Sequence, residues 1–353
     1  MSIILSEVFR YSGSFAKVSA MSGRLLTDED YDALLSKTKV SDVAVYLKSN
    51  TSYAEYLIGV EDASVHRGEL EAALELSGER EFVKLFKYEK GKNKKFLQVF
   101  ILRHEIETLK EMLRMIESDI LYTFADTANG YYKKHMTIDP TKLAASSDRA
   151  QFIENLRGTP YYDLLKMFAT DEGHFNIFSM EMTLDVYYFN QVWRTFQKNL
   201  SKGDRELVLH SFGIEVDLLN IMWILRCKKF FDTPREIIYA FIIPKRYRLK
   251  NEYIAAMVDA KSYEEAMAEV ENTPYKGVFG NDDFFEQYYY KYVISCQHRL
   301  SRQNPYSIIK ILYYIHAKST EIANIIKLIE GIRYNLDADV IKKYLIRGEP
   351  HVG

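Results

Sequence analysis

The sequence predicts an all-α protein, and three observations carry that expectation. The stretch Asn304–Tyr344 places Ile308, Leu312, Ile315, Ser319, Ile322, Ile326 and Ile329 at alternating steps of four and three, which lays a narrow apolar seam along one side of a helix. No stretch alternates polar and apolar residues at period two for long enough to demand a sheet. Only 7 Pro and 16 Gly in 353 residues disfavour a β-sandwich or a disordered tail.

The long C-terminal helix is predicted to start at Asn304-Pro305, a side-chain cap followed by a proline whose missing N–H costs nothing there. Glu321 sits beside its seam, and the same element is written twice more, around Glu105 and Glu215. One, four and eight positions after each Glu come Ile106, Leu109 and Leu113; then Val216, Leu219 and Trp223; then Ile322, Ile325 and Ile329. All nine are apolar, and the acids are spaced 215 − 105 = 110 and 321 − 215 = 106.

Two further landmarks keep step. Thr51-Ser52-Tyr53, Thr159-Pro160-Tyr161 and Thr273-Pro274-Tyr275 each read as a helix entry, a Thr cap followed by a starter and an aromatic. A basic loop precedes each Glu helix: Glu89–Lys95, Ser201–Arg205 and Arg299–Pro305. Three landmarks in the same order, three times, predict a threefold internal repeat, with units at 1–127, 128–243 and 244–353.

Within the first unit, Phe15–Asn50 is expected to hold two helices capped by Thr27 and Ser41, with acids behind each cap. Ala63–Phe86 reads as a further helix and Lys90–Lys95 as its exit loop. In the second unit Phe178–Leu200 is one long aromatic-rich helix. The third opens after Pro244 with the basic connector Lys245-Arg246-Tyr247-Arg248, and Ser262 with Glu265 predicts a capping box.

Composition narrows the function. A formal charge of −2 gives no excess of positive charge to point at nucleic acid. Cys227 and Cys296 are too few for a disulfide framework and fit a reduced compartment. Neither a signal peptide nor a membrane span is expected, because the longest apolar runs, such as Ile237–Pro244, fall short of the ~20 residues a spanning helix needs.

A search for catalysis yields mostly absences. Gly91-Lys92-Asn93-Lys94 lacks the frame of a phosphate-cradling loop and reads as a solvated connector. His104-Glu105 has no second His four positions on, and Asp171 with His174 is the nearest approach to a helical di-iron pattern, in a loop. No nucleophile elbow is present, and each Cys reads as a small buried apolar residue. No catalytic residue, metal site, cofactor or small-molecule substrate is expected.

Glu105, Glu215 and Glu321 remain the most pointed feature. Three carboxylates around an axis would bind a cation; alternatively each pairs with a Lys or Arg or caps a neighbouring helix, because a carboxylate at a seam edge is costly unless satisfied. The second reading is preferred, since an ion site needs more oxygen ligands than one Glu per unit supplies. If the units surround an axis, Lys90, Lys92, Lys94, Lys95, Lys202, Arg205, Arg299 and Arg302 would ring one end and steer an acidic partner.

At these residues the sequence resembles the C subunit of prokaryotic V-type (A-type) rotary ATPases, relatives of the eukaryotic d subunit. The resemblance rests on FAKVSAMSGRLLTDEDY (15–31), on the Glu-centred helices and on PYSIIKILYYIHAKSTEIANIIKLIEGI (305–332), and covers essentially the whole chain. It implies an all-helical funnel of three similar subdomains around a pseudo-threefold axis and no enzymatic activity. It further implies a seat on the cytoplasmic face of the membrane, between the proteolipid ring and the D/F-type central-shaft subunits. Coupling of ATP chemistry to proton or sodium transport would pass through it. The residues alone also admit an unrelated helical-repeat adaptor binding a peptide or protein in a concave face; a helical hydrolase or metalloenzyme is disfavoured by the missing ligand spacings.

Overall fold

In the computed structural model the described residues are all but 1, 60–66, 118–129, 170–176, 232, 281, 283 and 348–353, and the side chains of 2–6 are also left aside. Among them the protein is all helical, with sixteen α-helices and no strand. In chain order these are α1 (Ser2–Ser22), α2 (Asp28–Leu35), α3 (Val40–Asn50), α4 (Arg67–Tyr88), α5 (Gly91–Glu117), α6 (Pro140–Ala144), α7 (Arg149–Asn155) and α8 (Pro160–Leu165). They continue as α9 (Ile177–Asn199), α10 (Lys202–Arg226), α11 (Arg235–Phe241), α12 (Asn251–Asp259), α13 (Tyr263–Val270), α14 (Phe285–Gln303), α15 (Ile308–Arg333) and α16 (Ala338–Tyr344).

The helices gather into two compact units. One comprises Met1–Glu89, Lys202–Met222 and Thr273–Gly353. Its centre is α15, packed against α1, α3, α4, α14 and α16. Leu34, Val43, Leu47, Leu70 and Leu74 close on Ile325, Leu328 and Ile329. Each such fully buried aliphatic side chain is worth roughly 1.5–3 kcal/mol of transfer free energy. Because so many neighbours surround α15, its buried residues extend well beyond the narrow seam: Ile309, Tyr314, Lys318, Asn324 and Ile332 are buried, whereas Ser319 is exposed and Ile326 half-buried.

The other unit comprises Lys90–Ser201 and Trp223–Asn272. Here α5 packs along α9. Lys110 pairs with Asp185 and Arg114 with Glu181, so partner numbers rise on one helix as they fall on the other and the helices are antiparallel. The helix cued by the aromatics of 178–200 spans Ile177–Asn199, close to its expected bounds.

Local chemistry explains several helix ends. Thr27 closes a capping box with Asp30 ahead of α2. Asp139 and Thr159 accept from the first N–H groups of α6 and α8, each with Pro in the first turn. Ser262 caps α13 through Glu265 N, but the Glu265 carboxylate reaches Lys261 N instead of the cap residue's own N–H, so the expected box is only half formed.

Other boundaries differ from the sequence reading. Phe15–Asn50 contains three helices, α1 to α3, and α3 begins behind Lys39 with Ser41 already inside it. The C-terminal helix starts at Ile308 rather than at Asn304-Pro305: the Ile308 N–H donates to the buried Asp204 carboxylate of α10, a cap supplied from another helix. It also stops at Arg333. Asn335 adopts φ 52°, and Leu336 N–H to Gly331 O with Asn335 N–H to Ile332 O complete a Schellman turn that separates α15 from α16. Gly331 has a packing role there, since a Cβ would lie 2.5 Å from Ile341 Cγ1.

The three basic stretches are helix ends more than loops. Lys92, Lys94 and Lys95 stand in the first turns of α5, Lys202 and Arg205 open α10, and Arg299 and Arg302 close α14. Finally, α10 runs on through a π-helical turn, Cys227–Phe231. The 30 residues from Lys202 to Phe231 are long and apolar enough to cross a membrane, contrary to the sequence expectation. Because 83% of the most apolar window is buried inside the protein, the apolarity is accounted for by core packing.

Candidate functional site: the buried acids and the basic helix ends

All nine apolar positions that follow the three acids are buried, and so are the acids: Glu105, Glu215 and Glu321 are at most 4% exposed. Three carboxylates inside apolar packing must be satisfied, and the donors that meet them define the site.

Glu321 accepts from the Leu26 N–H, from the Tyr53 hydroxyl at 2.8 Å and from the Lys318 ammonium at 2.8 Å. Lys318 is itself buried and lies 3.9 Å from the centre of the Tyr53 ring. Burial, aided by the Glu321 charge, pushes the Tyr53 phenol far above its usual pKa. Leu26 directly precedes Thr27, the cap of α2, so the carboxylate fixes the entry of that helix.

Glu105 repeats the arrangement in the other unit. Its Oε1 accepts from Thr137 N at 2.6 Å, Thr137 Oγ1 at 2.7 Å and Ile138 N at 2.9 Å. Ile138 directly precedes Asp139, the cap of α6, as Leu26 precedes that of α2. Tyr161 is buried beside it, and burial with the Glu105 charge raises its phenol pKa.

The middle acid is handled differently. Glu215 Oε1 accepts from Tyr289 at 3.2 Å, while the tyrosine of the Thr-Pro-Tyr landmark, Tyr275, donates instead to Asp217 at 2.6 Å, two residues along the same helix. Asp217 is fully buried.

The Thr-x-Tyr landmarks share one local geometry. Tyr53 N donates to Thr51 Oγ1 at 3.2 Å, Tyr161 N to Thr159 Oγ1 at 3.3 Å and Tyr275 N to Thr273 Oγ1 at 3.1 Å. All three rings are at most 1% exposed. In each, the threonine side chain accepts from the N–H two residues on and the aromatic ring is buried.

Lys318, Tyr289, Asp217, Thr137 and Leu26 were not singled out from the sequence. Lys318 stands three residues before Glu321, a spacing that pairs side chains on a helix, and an apolar residue ahead of a cap marks Leu26 and Ile138. Nothing local signals Asp217 over Glu215.

The basic side chains are mostly at the surface: Lys90, Lys92, Lys95, Lys202, Arg299 and Arg302 are exposed, Lys94 and Arg205 half-buried. Among the described residues no group of three or more His, Cys, Asp or Glu is placed to hold a metal ion. Asp171 and His174 lie outside the described residues.

The geometry is that of a helical scaffold whose buried acids tie helix entries to long helices. The family model for the ATP synthase (C/AC39) subunit matches residues 15–344, and the chain belongs to that family. The C subunit of the A-type ATP synthase from Methanosarcina mazei is 26% identical, over 95% of this chain and 92% of its own. Those of Methanocaldococcus jannaschii and Thermococcus kodakarensis are each 22% identical, covering 94% and 97% of this chain and 85% and 92% of theirs.

Proposed function

We propose that the chain is a non-catalytic central-stalk rotor subunit of a V/A-type ATPase, seated between the D/F-type shaft and the proteolipid ring on the cytoplasmic face of the membrane. In that place it passes torque between ATP chemistry and proton or sodium movement. Family membership over residues 15–344 carries this reading. The part demands stiffness, and long helices with buried, bonded acids supply it.

A succession of contacts supports three modules, 1–127, 128–243 and 244–353. Tyr161 of the second lies beside Glu105 of the first, and Tyr275 of the third bonds Asp217 of the second. Tyr53 of the first returns to Glu321 of the third. Each aromatic box thus rests on the acidic helix of the module before it, and the last helix receives the first box.

The basic helix ends are the proposed docking sites for an acidic partner. Cations in the first turn of a helix oppose its dipole by roughly 0.3–1 kcal/mol each, and α5 carries no acid there to compensate. Lysines standing where the helix dipole disfavours them fit a role in meeting an acidic partner.

Co-purification with tagged shaft and ring subunits tests the proposal. Recovery of this chain with both is the expected result; recovery with neither would contradict it.

A further inference from the structure

The N-terminal helix touches three segments that lie far apart in the sequence, each beside a junction between long helices. Ser14 Oγ donates to Glu89, the residue after α4, and Gly13 lies so close to Tyr88 that a Cβ there would meet the phenol oxygen. Tyr11 donates to Asp204 Oδ2 at 2.8 Å, in the first turn of α10, with Arg10 3.6 Å from the same oxygen. Phe15 packs on Tyr306, ring centres 5.0 Å apart, in the turn between α14 and α15. Asp204 also caps α15 through Ile308 N, so one carboxylate joins α1, α10 and α15.

Two of these pegs are hydroxyl-to-carboxylate bonds. If α1 lifts, Glu89 and Asp204 exchange a hydroxyl for water; among the described side chains of α1 the apolar residues that lose cover are the buried Tyr11, Val18 and Met21 and the half-buried Val8 and Phe15. Water replaces a hydrogen bond with small net loss, whereas an exposed apolar face has no such replacement.

We propose that α1 is a detachable latch: seated, it holds the ends of α4, α10 and the α14–α15 turn at fixed spacing, and released, it frees the end of α4 and leaves the α10–α15 junction held only by the Asp204–Ile308 bond. This goes beyond the rotor reading and does not depend on it. A coupling piece of this design would be assembled in one state and locked in the other.

Hydrogen exchange read by mass spectrometry on the full chain tests it, comparing the native sequence with Tyr11→Phe, Ser14→Ala and the double variant. The latch predicts that the double variant exchanges at least tenfold faster in α1, and faster together in 86–89, 203–207 and 305–311, while α5 and α9 keep native protection. Faster exchange confined to α1 would overturn the proposal, because the three ends would then be held without it. Unchanged exchange everywhere would also overturn it. So would loss of protection throughout the chain in Tyr11→Phe alone, or a double variant that does not fold, since α1 would then be an inseparable part of the core.

Discussion

The Tyr53 hydroxyl donates to Glu321 Oε1 at 2.8 Å across 268 positions of chain, and Lys318 completes the contact by bonding the carboxylate and lying over the tyrosine ring. This trio fastens the first Thr-x-Tyr box to the last long helix.

Glu321→Ala leaves the Lys318 ammonium buried without its counter-charge and the Leu26 N–H without its acceptor. Losing one partner of a buried pair costs about 3–5 kcal/mol, measured as a shift in the chemical denaturation midpoint. The double variant Glu321→Ala with Lys318→Met should recover part of that loss. A Glu321→Ala protein as stable as the native one would remove the pairing from the account.

Tyr53→Phe deletes only the hydroxyl and leaves the Lys318–Glu321 bond. The expected loss is about 1.5–3 kcal/mol, the range for a hydrogen bond to a charged group. Tyr275→Phe should behave alike through Asp217, since its bond is 2.6 Å and fully buried.

Alkaline pH should destabilise the fold through these phenols. Burial raises the pKa of Tyr31, Tyr53, Tyr161 and Tyr314 above the ordinary value near 10. Between the unfolded and folded pKa values the native state holds more protons, so stability falls as pH rises. The melting temperature should be flat across neutral pH and decline with growing slope above about pH 10; Tyr53→Phe should decline less steeply. An equal slope in that variant would exclude Tyr53 from the effect.

Replacing Lys90, Lys92, Lys94 and Lys95 by Glu should leave the fold intact, because acids suit the start of α5 better than lysines do. Docking to the rotor partners should weaken about tenfold near 0.1 M salt, with the difference shrinking as salt rises. Equal affinity at every salt concentration would remove these lysines from the docking site.

Periodicity and caps made much of this legible. The 3.6-residue pattern marked α5, α10 and α15 and all nine core positions behind the acids, because burial of one face is written directly in the sequence. Thr27 and Thr159 were readable as caps because capping is local. What was not legible is long-range. Asp204 moves the start of α15 to Ile308 from another helix, 104 positions away. Tyr275 selects Asp217 over Glu215 by tertiary geometry alone. The end of α15 escaped because Asn335, not Gly, takes the left-handed position. The crowding of α15 on several sides hid behind a seam pattern that described only one.

The central claim is that this chain transmits rotation and performs no reaction. It is tested most directly by reconstituting the whole ATPase in sealed vesicles with and without the chain, and measuring ATP hydrolysis and ion uptake together. The account predicts that omission leaves hydrolysis running while ion uptake is lost, and that adding the chain back restores uptake. Ion uptake that persists in full without it would contradict the account.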